Sequence, residues 1–197
     1  MSVGLRRHLE ARGAAATLLA VSVAALAMAY SAGWFKDGDF APGWWWPIVT
    51  AGPLLAVTFV ARTLAGADVA LERSTARQRP ALRAAHVVAG LLVAVVPPAL
   101  AGLAALGTDA TVVVVRNSIG LLGLVLLASG VMRAGTSWMP ALGYTVFVLA
   151  SPPRQEHGAA LWWGWPMQPG DIAVPWTIAV VLLVAGAAAY LRRGPAL

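Results

Sequence analysis

Residues 87–106 read VVAGLLVAVVPPALAGLAAL, and residues 112–128 read VVVVRNSIGLLGLVLLA. An apolar run of about twenty residues matches the roughly 30 Å hydrocarbon core of a bilayer. Backbone groups in lipid must be satisfied within the protein, which leaves helices or a closed barrel. Barrel strands alternate apolar and polar residues, and neither stretch does. Both therefore predict membrane helices. The rest of the chain agrees: 59% of its 197 residues are hydrophobic and 11% are charged, whereas a soluble domain carries about a quarter charged residues.

Working outward, further apolar runs lie at about 14–34, 45–65, 137–151 and 173–191, and the two quoted blocks extend to 84–106 and 111–132. The fold class expected is all-α: a polytopic membrane protein of six transmembrane helices in one domain, 1–197. The fifth run is short, about 22 Å at 1.5 Å per residue, and Pro152-Pro153 stops it. The loops carry the orientation. Placing the N-terminus, 62–83, 133–137 and the C-terminus in the cytoplasm puts Arg6, Arg7, Arg12, Arg62, Arg73, Arg77, Arg79, Arg83, Arg133, Arg192 and Arg193 inside. Only Lys36, Arg116 and Arg154 fall elsewhere, while Asp37, Asp39, Asp109, Glu156 and Asp171 lie outside. This is the positive-inside pattern. It also accounts for the net charge of +6 without nucleic acid. The first run follows a basic start, and Ala27-Met28-Ala29 has the small-x-small form of a signal cleavage site. The run is nevertheless long enough to span, so it is read as the first crossing. The richness in alanine, glycine and arginine points to a bacterial plasma membrane protein with both termini cytoplasmic.

Several chemistries are excluded. A phosphate-binding P-loop requires lysine after its glycines, and the sole lysine, Lys36, lacks that context. His8, His86 and His157 have no partners at metal-ligand spacing. Paired intramembrane carboxylates and a Gly-x-Ser-x-Gly elbow are also missing. No catalytic, cofactor-binding or metal site is expected in the chain, which is not read as an enzyme.

Three features stand out. Asp68 is placed to cap a helix over 68–80 containing Leu71, Glu72, Arg73 and Arg77, which Pro80 would end. Such a helix suits docking on a partner or contact with anionic headgroups. The stretch 154–172, RQEHGAALWWGWPMQPGDI, is too apolar for a plain loop and too short to cross and return. It predicts a re-entrant or interfacial half-helix at about 156–164, ended near Pro166, with Trp162, Trp163 and Trp165 at headgroup depth. Eight of nine tryptophans map to the outer side, either as an anchoring belt or as part of an outer gate or exit. Arg116, with Asn117 and Ser118 near the outer end of the fourth span, is placed to snorkel to the surface, or to face a cavity or pair with Asp109. Gly120, Gly123 and Ala128 offer a small-residue patch for close helix packing.

Taken together, six spans, a basic amphipathic segment at 1–13, a charged helix between spans two and three and a hairpin-like apolar stretch before span six form a layout. It resembles the membrane (permease) subunit of type-2 ABC exporters. The resemblance covers nearly the whole chain and rests on layout, without a diagnostic motif; this chain is shorter than the family pattern, with a minimal first external loop. It implies that 68–80 is the coupling helix, with Asp68, Leu71, Glu72, Arg73 and Arg77 meeting an ABC ATPase subunit that holds ATP and Mg. It implies re-entrant helices at about 155–170, with Trp162, Trp163, Trp165 and Arg116 at an outer gate or exit. It also implies a second membrane subunit, identical or homologous, and an amphipathic or hydrophobic cargo. The competing reading is a non-transport scaffold or accessory subunit of a membrane complex.

Overall fold

In a computed structural model, residues 13–36, 45–64, 80–151, 158 and 160–193 are described. The N-terminal segment 1–12 and nearly all of the helix expected at 68–80, with Asp68, Leu71, Glu72, Arg73 and Arg77, lie outside them, as do 154–157. The described residues form seven α-helices: α1 (Ala14–Lys36), α2 (Trp46–Leu64), α3 (Pro80–Ala105), α4 (Thr108–Ser129), α5 (Met139–Ala150), the single turn α6 (Ala160–Trp163) and α7 (Ala173–Arg193). Short 3-10 turns lie at Ala134–Thr136 and Trp165–Met167. No strand occurs among the described residues.

Five helices, α1, α2, α3, α4 and α7, are long and apolar enough to cross a membrane. Their outer faces would be untenable in water. Leu19, Leu26, Tyr30, Leu100 and Val184 are all more than 60% exposed, forming apolar surface that a soluble protein would bury. The chain is a helical membrane protein. The expected fifth span is the exception. Its helix, α5, has 12 residues, about 18 Å at 1.5 Å per residue, and does not reach across a hydrocarbon core by itself. Met139-Pro140 opens it and Ser151, outside helical geometry at φ −127° and ψ 67°, ends it.

The interior is built around α4, whose neighbours are α7, α2 and α3. Val57, Val60, Leu121, Leu122, Val125 and Leu126 are buried together between α2 and α4. Gly123 and Gly186 bring α4 and α7 into backbone contact. A Cβ on Gly123 would lie 2.4 Å from the Leu182 carbonyl carbon, and one on Gly186 would lie 2.4 Å from the Gly123 oxygen. Only glycine permits that approach. At one end of α4, Gly107 takes φ +88°, the left-handed conformation that glycine adopts without Cβ strain. This lets α3 turn directly into α4.

These contacts fix direction. Gly170 lies against Val112 and the Asp109 carbonyl at the start of α4, while Gly186 lies against Gly123 and Leu126 further along. Helices α4 and α7 are therefore parallel. Between them, residues 130–172 carry the chain back along α4, and α5 supplies only part of that distance. Charge separates along the same axis. Arg62 in the last turn of α2, Arg83 near the start of α3, Arg133, and Arg192 and Arg193 at the end of α7 gather at one end of the bundle. Asp109 and Asp171 lie at the other.

Candidate functional site

At the Asp109 end, the starts of α2 and α4 and the turn leading into α7 enclose a cavity of about 690 Å³. Trp45, Trp46, Asp109, Val112, Gly170 and Asp171 line it, with Val113 and Pro169. The indoles of Trp45 and Trp46 are stacked, with centroids 4.1 Å apart and planes inclined by 24°. Both carboxylate-bearing residues are exposed. The third wall is fastened where Trp176 Nε1 donates to the Gly170 carbonyl at 2.9 Å. Gly170 needs its bare Cα there, because a Cβ would come within 2.8 Å of Val112.

Behind this cavity the polar triplet Arg116-Asn117-Ser118 is buried completely. The expected snorkelling of Arg116 does not occur, and its guanidinium does not turn to Asp109. It faces sideways, into the backbone of the segment before α7. Nη1 donates to the Pro169 carbonyl at 2.9 Å; Nη2 donates to the Gln168 carbonyl at 2.7 Å and, at longer range, to the Pro166 carbonyl at 3.3 Å. The local sequence explains why. Residues 164–172 make only a short 3-10 turn, with Pro166 inside it and Pro169 just beyond its end, so their carbonyls have few internal donors. A planar guanidinium fork suits several converging carbonyl oxygens, and buried backbone oxygens in lipid require partners.

Asn117 performs a second repair. Pro53, inside α2, has no N–H, which deprives the Val49 carbonyl of its i+4 donor. Asn117 Nδ2 donates to that carbonyl at 3.0 Å and to the Pro166 carbonyl at 2.9 Å. Two adjacent residues of α4 thus tie α2 and the 164–169 turn to the same point.

The tryptophans expected to act together are divided. Trp165 is 2% exposed and sits over Gly120, where a Cβ would come within 2.3 Å of its ring. Gly120 therefore faces an indole, unlike Gly123, which faces a helix backbone. Gly120 lies about 18 Å along α4 from Thr108, on a helix about 33 Å long. Trp165 is thus near half-depth of the bundle and not at headgroup depth. On its other side it stacks with Tyr144 of α5, centroids 6.1 Å apart. The Tyr144 hydroxyl donates to the Trp163 carbonyl, and Trp163 meets Phe147 at 5.6 Å between centroids. Trp162 is 65% exposed. Of the half-helix expected at 156–164, positions 156, 157 and 159 lie outside the described residues; a single helical turn occupies Ala160–Trp163, and Pro166 stands inside the following 3-10 turn.

The site thus joins Arg116, its expected neighbour Asn117 and Trp165, leaves Trp162 and Trp163 toward the periphery, and adds Trp45, Trp46 and Asp171, which were not expected as site residues. The need that Asn117 meets could have been anticipated from Pro53, since an intrahelical proline announces an orphaned carbonyl. The pairing of Asn117 with Val49, across 68 residues of sequence, could not. At the opposite end, His86 is buried with Nε2 3.2 Å from Thr63 Oγ1. No group of three metal-ligating side chains occurs among the described residues. Comparison with protein-family models, with curated proteins and with solved structures finds no match.

Proposed function

We propose that the chain is the membrane subunit of an ATP-driven exporter, moving an amphipathic or hydrophobic cargo with energy from a separate ATPase. The observation that carries this reading is the course of the described residues 160–172. It brings Trp165 to half-depth between Gly120 and Tyr144, and reaches the Asp109 end at Gly170. A re-entrant stretch in that place is the feature on which the likeness to type-2 exporters chiefly rests. We read α5 as the fifth of six traverses, which the parallel course of α4 and α7 supports, with this stretch turning back beyond it. The arginine-rich end would then be cytoplasmic under the positive-inside rule, with both termini there, in a bacterial plasma membrane. The coupling helix at 68–80, carrying Asp68, Leu71, Glu72, Arg73 and Arg77, would meet the ATPase at that end. ATP and Mg would be held by the ATPase alone, and the path would run between two membrane subunits.

The second reading, a scaffold or accessory subunit, is favoured by the packing between α2, α4 and α7, where Leu121, Leu122, Val125 and Leu126 fill the centre. The two are separated by purification in mild detergent followed by reconstitution. An exporter subunit co-purifies with a P-loop ATPase, and charge reversal at Arg73 or Arg77 uncouples hydrolysis from transport while insertion is kept. Absence of an ATPase, or unchanged coupling in both variants, refutes the exporter reading. Single cysteines at Gly38, Thr75 and His157 test the orientation; an impermeant reagent should label positions 38 and 157 in intact cells and spare 75.

A further inference from the structure

We infer that the cavity at the Asp109 end binds a hydrophobic organic cation, a positively charged centre carried on an aromatic or aliphatic body. Its volume, about 690 Å³, lies in the range of small-molecule sites, which are typically apolar with a few placed polar groups. Its walls divide in that way. Val112, Val113 and Pro169 supply apolar surface, and the stacked pair Trp45–Trp46 supplies aromatic surface. Both charged side chains among the described lining residues, Asp109 and Asp171, are carboxylates. Indole rings attract cations through their quadrupole, so the aromatic and acidic walls favour the same sign of charge.

Among the described residues the nearby cation is Arg116, one charge against two carboxylates, and it offsets part of this preference without reversing it. Arg116 is fully buried behind the lining, with both terminal nitrogens engaged by the carbonyls of Pro166, Gln168 and Pro169. The starts of α2, α4 and α7 also point their positive dipole ends this way and offset part of the carboxylate charge. The net preference is therefore moderate. An inorganic ion would use the carboxylates but leave the indoles and valines without a role, and a neutral lipid would leave the carboxylates without one. A lipophilic cation uses both walls.

This inference names a ligand class for the cavity and does not depend on an ATPase, so it is tested on the purified chain alone. Equilibrium dialysis of radiolabelled tetraphenylphosphonium against the protein in lipid nanodiscs is the measurement. Empty nanodiscs serve as the partition blank, and tetraphenylborate serves as the isosteric anion. Saturable binding of the phosphonium at one site per chain is expected, with no saturable binding of the borate. The variant D109N/D171N, altered at two exposed positions, should bind on the order of tenfold more weakly, the scale expected for two partly solvated charge contacts. W45L/W46L should weaken binding by a similar factor while keeping the carboxylates. Size-exclusion profiles matching the wild type establish that the variants are folded. If D109N/D171N is misfolded, D171N alone is used, and a loss of about threefold is then expected. Equal affinity for phosphonium and borate, no saturable phosphonium binding, or unchanged affinity in the folded acid variant overturns the inference. Loss of ATPase association or of transport would leave it standing.

Discussion

Replacing Arg116 with methionine keeps much of the side chain's volume and removes its charge and donors. In the native protein two short bonds, 2.9 Å to Pro169 O and 2.7 Å to Gln168 O, and one longer bond, 3.3 Å to Pro166 O, hold the 166–169 backbone. Pro166 O retains Asn117 as a donor. The other two carbonyls lose a charge-assisted bond, and a buried acceptor left unpaired costs about 1–3 kcal/mol. The gross loss is thus about 2–6 kcal/mol. Against it stands the desolvation penalty of a buried guanidinium, which disappears with the charge and amounts to several kcal/mol in other buried ion sites. Arg116 is not a removable ion pair, however, because its acceptors belong to irregular backbone that stays when the side chain is gone. A net loss of about 2–3 kcal/mol is expected. Arg116→Lys should cost at least as much: the ammonium remains buried, but a compact head cannot reach carbonyls spread across the fork. Stability is read by titration with SDS in mixed micelles. Release of the segment is read by thiol labelling of Met167→Cys, a background-free reporter because the chain has no cysteine. If Arg116→Met is as stable as the parent and labelling at position 167 does not rise, desolvation outweighs the carbonyl contacts and the anchoring argument is wrong.

Three further outcomes follow from the same geometry. Asn117→Leu should cost about 1–2 kcal/mol by stranding Val49 O, and Pro53→Ala, which restores the i+4 donor, should recover about 1 kcal/mol of it in a double-mutant cycle; strict additivity would refute the repair of the proline gap. Gly123→Val should prevent α4 and α7 from meeting, since its Cβ would stand 2.4 Å from backbone, with a loss of at least about 3 kcal/mol visible as aggregation on size exclusion; a monodisperse, fully stable variant would contradict the parallel seam. Gly120→Val should expel Trp165 from half-depth and raise labelling of Met167→Cys at least severalfold, with unchanged labelling counting against the placement of the 165–168 turn.

Much of this protein was legible in its sequence because a bilayer imposes a one-dimensional requirement. Continuous apolar length is set by hydrocarbon thickness, so the helices α1, α2, α3, α4 and α7 could be located within a few residues from runs such as 87–106 and 112–128. The separation of Arg62, Arg83, Arg133, Arg192 and Arg193 from Asp109 and Asp171 was equally plain, since charge at a helix end is read without knowing neighbours. The 12-residue α5 marks where length ceases to decide: a short apolar run can be a partial traverse or a buried helix, and only the helices around it choose. Arg116 shows the limit most clearly. Its position one turn or so from a span end suggested water as its partner, yet its partners are carbonyls some fifty residues away, in a proline-containing turn that packs against α4. Which buried acceptors lack donors is a property of the folded backbone, and so the tertiary structure alone decided where that charge, Asn117 and the indole of Trp165 would go.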